Sequence, residues 1–95
     1  MTIQTIKRQI LPILKRQGVM KAALFGSVVR NETTKTSDID LLVKMRNDKT
    51  LLDLAGLKIE LEEKLGRKVD VITYNSIYHR LRDIILKEQQ VIYER

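Results

Sequence analysis

The stretch LFGSVVRNETTKTSDIDLLV, residues 24–43, contains the two patterns that decide the fold and the chemistry of this chain. Its apolar beginning, together with the preceding KAA, predicts a short buried strand that stops at Gly26 and Ser27. Its end, the DIDLLVK run of residues 38–44, predicts a second strand. A glycine turn therefore leads out of one strand, and a pair of aspartates leads into the next.

Hydrophobic spacing outside this stretch predicts helices on both sides of it. Apolar residues at helical spacing run from Ile3 to Leu14, with Thr2 as a candidate cap and Gly18 as the end of the helix. Pro12 inside that pattern predicts a kink or a restart. A later helix is expected to follow a cap at Asn75 and Ser76 and to carry the isoleucines and leucine at positions 77, 81, 84 and 85. The other expected elements are a polar loop over 31–37, an amphipathic helix over 50–65, a strand over 69–73 and an edge strand over 90–93.

This order of elements predicts an α/β (α+β) fold in which helices pack on a small mixed sheet. The strand order does not follow from the sequence. With 95 residues, of which 43% are hydrophobic, the chain fits one domain over 1–95. It has no cysteine, which excludes disulfides and thiolate metal sites. The absence of a long apolar run and of a secretory signal leads us to expect a cytoplasmic protein with no membrane contact.

The charge of the chain favours anionic partners without choosing among them. There are 18 Lys and Arg against 12 Asp and Glu, a formal net charge of +6. The basic residues are spread along the chain, which is typical of solvated faces. Only 4% of the residues are aromatic, too few for a platform that stacks single-stranded nucleic acid. Direct nucleic-acid binding is therefore not required by this composition.

The aspartates of the second strand suggest a metal site. Alternate strand residues point to the same face, so Asp38 and Asp40 should project together while Ile39 joins the core. Two adjacent carboxylates entering a core are costly unless a cation lies between them. Magnesium suits such oxygen ligands. Aspartates at strand ends also cap turns or face water, and the D-x-D pattern alone does not exclude that interpretation.

A third aspartate, Asp70, interrupts the apolar strand VDVIT at residues 69–73. If this strand lies beside the second one, Asp70 can join the other two carboxylates. Three carboxylates on one sheet face make a two-metal site that can stabilise the attacking and leaving oxygens of an in-line displacement. Asp70 would then act on the acceptor hydroxyl, as a base or as a ligand of the activating metal.

The turn after the first strand suggests a phosphate site. Gly26 lets the backbone approach a bulky anion, and the amides after it, with the Ser27 hydroxyl, can cradle phosphate oxygens. Arg30 lies one helical turn later and could face the same phosphates. An ordinary strand–turn–helix with a surface arginine is the alternative interpretation. Ser37 would cap the turn into the strand or orient the aspartate that follows it.

Two other residues are weaker candidates. His79 is the single histidine and is expected to be solvated on the last helix. Tyr74 follows the third strand and would either line a base pocket or pack at the rim of the core.

Taken together, G-S-x-x-R followed by S-D-I-D-L-L-V resembles the signature of the DNA polymerase β-like nucleotidyltransferases, and in particular their minimal nucleotidyltransferase (MNT) domains. VDVIT lies where that family carries its third aspartate, and the ending ILKEQQVIYER is similar to the family's usual ending. The resemblance implies that Ser27 binds triphosphate and that Asp38, Asp40 and Asp70 form the catalytic and magnesium-binding triad. The sequence departs from the family at Asn31, where relatives often have glycine.

MNT domains of this size resemble the antitoxins of HEPN/MNT toxin–antitoxin pairs. The resemblance implies two magnesium ions, ATP as substrate, and transfer of AMP onto a tyrosine of the cognate HEPN ribonuclease toxin in a hetero-oligomer. No acceptor-holding domain is evident in the sequence, so we expect a second protein to bring the acceptor. Two alternatives stay open: an antitoxin that only masks its toxin, and a nucleotidyltransferase acting on a small molecule or RNA.

Overall fold

The computed structural model describes residues 2–32 and 37–95. The predicted polar loop lies in part at 33–36, outside the described residues. In chain order the helices and strands are α1 (Ile3–Arg16), β1 (Val19–Phe25), β2 (Ile39–Met45), α2 (Leu51–Leu65), β3 (Val69–Thr73), α3 (His79–Glu88) and β4 (Gln90–Glu94). Short 3-10 turns follow β1 at Gly26–Val28 and β3 at Tyr74–Ser76.

The four strands form one mixed sheet in the order β3-β2-β1-β4, as the fold class predicted. β2 and β3 are parallel, whereas β1 is antiparallel to both β2 and β4. The amino ends of β2 and β3 therefore lie at the same end of the sheet as the carboxyl end of β1. This end, where strands begin or stop, is called the edge of the motif residues, and it is distinct from the edge strands β3 and β4. β4 also begins at this edge, since Gln90 lies opposite Leu24. All the motif residues of the sequence converge on this edge.

One face of the sheet is sealed by α1 and α2. The alternate strand residues Leu24, Leu41 and Val69 point into this layer and are at most 1% exposed. They meet the apolar stripes of the two helices, Ile6, Ile10, Ile13 and Leu14 from α1 and Leu57, Leu61 and Leu65 from α2. Burial of each such side chain stabilises the folded state by roughly 1.5–3 kcal/mol, so this layer supplies most of the stability of the fold.

The other face carries a smaller core under α3. Ala23, Phe25 and Leu42 are buried there with Ile77, and Ile85 and Leu86 of α3 pack partly against them. The remaining apolar residues of the predicted last helix, Leu81 and Ile84, are 48% and 61% exposed. This face is thus only partly covered, and the aspartates lie on it where β2 and β3 begin.

The expected restart at Pro12 does not occur, because α1 runs without a break from Ile3 to Arg16. Pro12 is exposed, and so is Arg8, whose carbonyl would otherwise accept the missing helical hydrogen bond. Water can satisfy that carbonyl. Buried Ile10 and Ile13 hold the helix on the sheet on both sides of the proline.

The range of α2 matches the prediction, whereas the start of α3 differs from it. Thr50 and Asp53 form a reciprocal capping box, and Gly66 ends α2 in the left-handed conformation with φ of 65°. Asn75 and Ser76 do not cap α3. They lie in the 3-10 turn, because burial of Ile77 in an extended conformation delays the start of the helix to His79.

Among the described residues, no helix combines the length and the hydropathy that a membrane crossing needs.

Candidate active site

Two aspartates lie side by side at the edge where β2 and β3 begin. In the parallel register Asp40 is the partner of Asp70, with Leu42 and Ile72 as the next pair on the same face. Neighbouring strands are about 4.8 Å apart, so two such side chains project as a pair from one face. The sequence analysis required β3 to lie beside β2 for Asp70 to join the other carboxylates. The fold has the two strands side by side.

Asp38 lies just before β2 rather than inside it. Pairing with the neighbouring strand begins at Ile39, whose amide donates to the Lys68 carbonyl at 2.9 Å. The side chain of Asp38 is exposed, so the expected strand alternation does not strictly apply to it. Its charge nevertheless acts on Asp40, which places it at the same edge.

Asp40 is the carboxylate whose protonation the site perturbs most clearly. Burial first, and then the charges of Asp70 and Asp38, raise its pKa from 3.8 to about 6. Arg30 lowers the pKa and Glu88 raises it further, both to a smaller extent. The site thus concentrates negative charge that a bound cation would relieve.

The carboxylates can supply part of the ligands of a magnesium ion, and substrate phosphates would supply others. Over residues 2–32 and 37–95, no three acidic, histidine or cysteine side chains converge as a ready-made metal site. Magnesium is commonly held by one or two carboxylates together with substrate phosphates. The oxygen-only donors of Asp40 and Asp70, with Asp38 beside them, match that requirement.

Gly26 brings the turn after β1 directly against the aspartates. Its φ is +76°, a conformation that disfavours any side chain. A Cβ at this position would also overlap the Asp40 carboxylate, whose Cγ would lie 3.1 Å away. The glycine is therefore needed for its conformation and for the close approach of the backbone.

The 3-10 turn that follows presents amide groups at this edge. The amides of Val29 and Arg30 donate to the Gly26 carbonyl at 3.1 and 3.2 Å, and the Glu32 amide donates to the Ser27 carbonyl at 2.9 Å. The first amides of such a turn have no acceptor within it. With the half-buried Ser27 hydroxyl they form the candidate phosphate cradle.

Arg30 faces acidic groups on two sides. Its Nη1 donates to Glu88 Oε1 at 2.7 Å, and its Nε lies 3.3 Å from Glu32 Oε1. Asn31 follows with φ of 58°, in the left-handed region. Asparagine is among the residues that best tolerate this region after glycine, which explains why the departure from the family pattern keeps the turn.

Glu88 is a site residue that the sequence reasoning missed. It ends α3, and its Oε1 accepts from the Gly26 amide at 2.6 Å as well as from Arg30. A signal was present in the sequence, because an acidic residue at a helix carboxyl terminus is unfavourable for the helix dipole and needs compensation. No local pattern, however, indicates a partner 62 residues away.

The weaker candidates lie at the border of this site or away from it. Ser37 is half-buried directly before Asp38. His79 is exposed at the start of α3, with its ring 5.0 Å from the Tyr78 ring. Tyr74 follows the far end of β3, where it packs with the smaller core and its Oη donates to Gln89 Oε1 at 2.7 Å. Burial, followed by the charge of Glu94, raises its pKa.

Curated relatives resemble the chain over most of its length. A protein of Methanocaldococcus jannaschii, provisionally named a protein adenylyltransferase, is 58% identical over 93% of this chain and 95% of its own. The protein adenylyltransferase MntA of Thermococcus cleftensis is 35% identical over 78% of this chain and 75% of its own.

Solved structures share the fold. One described as a minimal nucleotidyltransferase superposes with a TM-score of 0.81 at 38% identity and covers 95% of both chains. A toxin–antitoxin structure with AMP-PNP superposes with a TM-score of 0.80 at 20% identity, over 94% of this chain and 73% of the other. A Shewanella oneidensis complex of an MNT antitoxin with a tri-AMPylated HEPN toxin gives 0.74 at 19% identity, over 97% and 72%.

The family model that describes the polymerase beta nucleotidyltransferases matches residues 8–95. This match includes the Gly26 turn and all three aspartates of the edge. The chain belongs to the polymerase beta nucleotidyltransferase family.

Proposed function

We propose that this chain is an antitoxin that transfers AMP from ATP onto a tyrosine of a cognate HEPN ribonuclease toxin and thereby inactivates it. The observation that carries the proposal is the pairing of Asp40 with Asp70 beside the Gly26 turn. The names of the relatives support the acceptor class, since two of them are named protein adenylyltransferases. A structural neighbour described as an MNT antitoxin with a tri-AMPylated HEPN toxin supports the partner.

The turn after β1 would hold the triphosphate. The Ser27 and Val28 amides and the Ser27 hydroxyl would donate to phosphate oxygens, while the Gly26 amide is bonded to Glu88. Arg30 brings a guanidinium to the same edge. Gly26 allows this backbone to lie against Asp40, so phosphates and carboxylates meet at one place. Ser37, directly before Asp38, would help to orient the carboxylate that follows it.

Asp38, Asp40 and Asp70 would hold two magnesium ions together with the phosphates. When bound, magnesium neutralises charge on the attacking and leaving oxygens of the displacement. The raised pKa of Asp40 supports this assignment, because a cation favours the ionised carboxylate that burial and its acidic neighbours disfavour.

The reaction follows from this placement. The tyrosine hydroxyl oxygen forms a bond to the α-phosphorus of ATP, the bond from that phosphorus to the bridging oxygen breaks, and pyrophosphate leaves. Asp70 would receive the hydroxyl proton or orient the hydroxyl. Asp70 is exposed and β3 is an edge strand, so a tyrosine on another protein can reach this carboxylate from outside the fold.

The deciding experiment is intact-mass spectrometry of the protein encoded beside this one, incubated with this chain, ATP and magnesium. We expect a mass gain in whole AMP units on a tyrosine, and no gain with the double variant Asp38→Ala, Asp40→Ala. A stable complex without any mass gain would instead favour masking. Transfer of labelled nucleotide to RNA or a small molecule without the partner would contradict a protein acceptor.

A second experiment separates a catalytic from a structural metal. Chelation of magnesium should abolish transfer while the far-ultraviolet circular dichroism stays unchanged. The core residues of both sheet faces are apolar, so the fold needs no metal to close it. Loss of helical signal on chelation would contradict this role.

A further inference from the structure

Glu88 connects the end of α3 to the turn after β1. One carboxylate oxygen, Oε1, accepts from the Gly26 amide at 2.6 Å and from Arg30 Nη1 at 2.7 Å. The Glu88 side chain is only 16% exposed, although Arg30 is 49% exposed. A carboxylate shared between a backbone amide and a guanidinium forms two charge-assisted hydrogen bonds, which are stronger than those of an ordinary surface ion pair.

These two donors belong to the candidate triphosphate site. Gly26 has a left-handed φ, and the bond to its amide fixes the conformation in which the turn begins. Arg30 has five guanidinium N–H groups, and its partners among residues 2–32 and 37–95, Glu88 and Glu32, face only part of them. Glu88 therefore orients both the Gly26 turn and the Arg30 guanidinium without engaging all N–H groups of that guanidinium.

Glu88 occupies this position in spite of two electrostatic costs. It lies at the carboxyl terminus of α3, where the helix dipole disfavours a negative charge. It also adds to the negative charge acting on Asp40. A neutral residue would avoid both costs, so a role in packing alone does not account for a carboxylate here.

We propose that Glu88 is a positioning residue of the nucleotidyl-transfer site, which aligns the Gly26–Ser27 turn and the Arg30 guanidinium for the triphosphate. The proposal rests on the proposed function in that it takes this turn to be the triphosphate site. In this role Glu88 acts through Gly26 and Arg30 and not through a contact of its own with the nucleotide or the acceptor.

The test compares Glu88→Ala and Glu88→Gln with wild type in calorimetric titrations of the whole chain with AMP-PNP and magnesium. We expect Glu88→Ala to weaken binding about tenfold, because two charge-assisted hydrogen bonds that order the cradle are lost. Glu88→Gln keeps an acceptor oxygen and should recover part of the affinity, with a loss of about threefold. In the transfer reaction the KM for ATP should rise more than kcat falls.

Glu94→Ala is the matched control, because Glu94 is exposed and lies away from this edge, where its Oε2 is 3.8 Å from Lys21 Nζ.

Failure of wild type to bind AMP-PNP would refute the triphosphate site itself. Binding by wild type with unchanged affinity in both Glu88 variants would overturn only the role of Glu88. Tighter binding by the variants would also overturn it and would indicate that Glu88 competes with phosphate. If Glu88→Ala does not fold, the affinity of Glu88→Gln decides.

Discussion

The two faces of the sheet are built from the same strands and serve opposite purposes. Toward α1 and α2 the alternate residues are aliphatic and almost fully buried, and α1 alone buries four side chains. Toward α3 the same strands carry Asp40 and Asp70, and none of the ten residues of α3 is buried. Alternation along a strand thus assigns one face to stability and leaves the other free to hold charge.

The difference also separates substitutions that lower the stability of the fold from substitutions that lower the activity of the site. A substitution in the sealed layer should unfold the protein without touching the site, whereas one at the open end should remove activity and leave the fold in place. Four predictions test this separation, and they follow in order of expected effect.

The largest effect should come from Asp40→Asn, which keeps the shape of the side chain and removes its charge. We expect transfer activity to fall by on the order of 10² to 10³, comparable to the loss of one preorganised electrostatic group in other enzymes. Asp48→Asn is the control, since Asp48 is exposed and pairs locally with Arg46 at 2.9 Å. An equal loss in both variants, measured as initial rates under saturating ATP, would contradict a special role for Asp40.

In the sealed layer, Leu57→Ala should destabilise the fold by about 2–5 kcal/mol, because it opens a cavity at a side chain that is 0% exposed. Leu81→Ala, on the outer side of α3 at 48% exposure, should stay within about 0.5 kcal/mol of wild type. Urea unfolding followed by circular dichroism measures both. Similar losses for the two variants would show that α3 is as essential to the core as α2.

Asp40→Asn should also make the metal-free protein more stable. Because the pKa of Asp40 is raised from 3.8 to about 6, the folded state holds its proton more tightly than the unfolded state does. The stability gained from that proton is complete below about pH 4 and is lost as the pH rises through about 6. At about pH 7.5 the variant should be about 1–2 kcal/mol more stable than wild type, after allowance for solvent screening.

Thermal unfolding without magnesium, at about pH 4 and about pH 7.5, measures this difference. The gain should shrink at the lower pH, where wild-type Asp40 is protonated as well. A gain that is independent of pH would show that repacking, and not the charge, changes the stability.

The smallest effect is expected at Asn31, whose φ of 58° suits few residues. Asn31→Val should cost about 1 kcal/mol, because a β-branched side chain is strained in the left-handed region. Asn31→Gly should be nearly neutral, since relief of strain offsets the added freedom of the unfolded chain. Equal unfolding midpoints for the two variants would show that the backbone changes its conformation at this position.

Local patterns were sufficient for most of the elements. The amphipathic stripe of residues 50–65 predicted α2 correctly, because this spacing acts within a few helical turns. Where burial competed with a local signal, the sequence misled. The restart expected at Pro12 does not occur in α1, and Asn75 and Ser76 do not cap α3, since the apolar neighbours of each are held in the core.

By itself the sequence determined the chemical groups of the site: a glycine turn with a serine and an arginine, and aspartates at strand starts. Only the tertiary structure decided which of them meet. The parallel register that pairs Asp40 with Asp70 joins residues 30 positions apart, and the bond from Gly26 to Glu88 joins residues 62 apart. Such contacts depend on strand order and on the path of α3, which follow from packing the whole sheet and not from any local pattern.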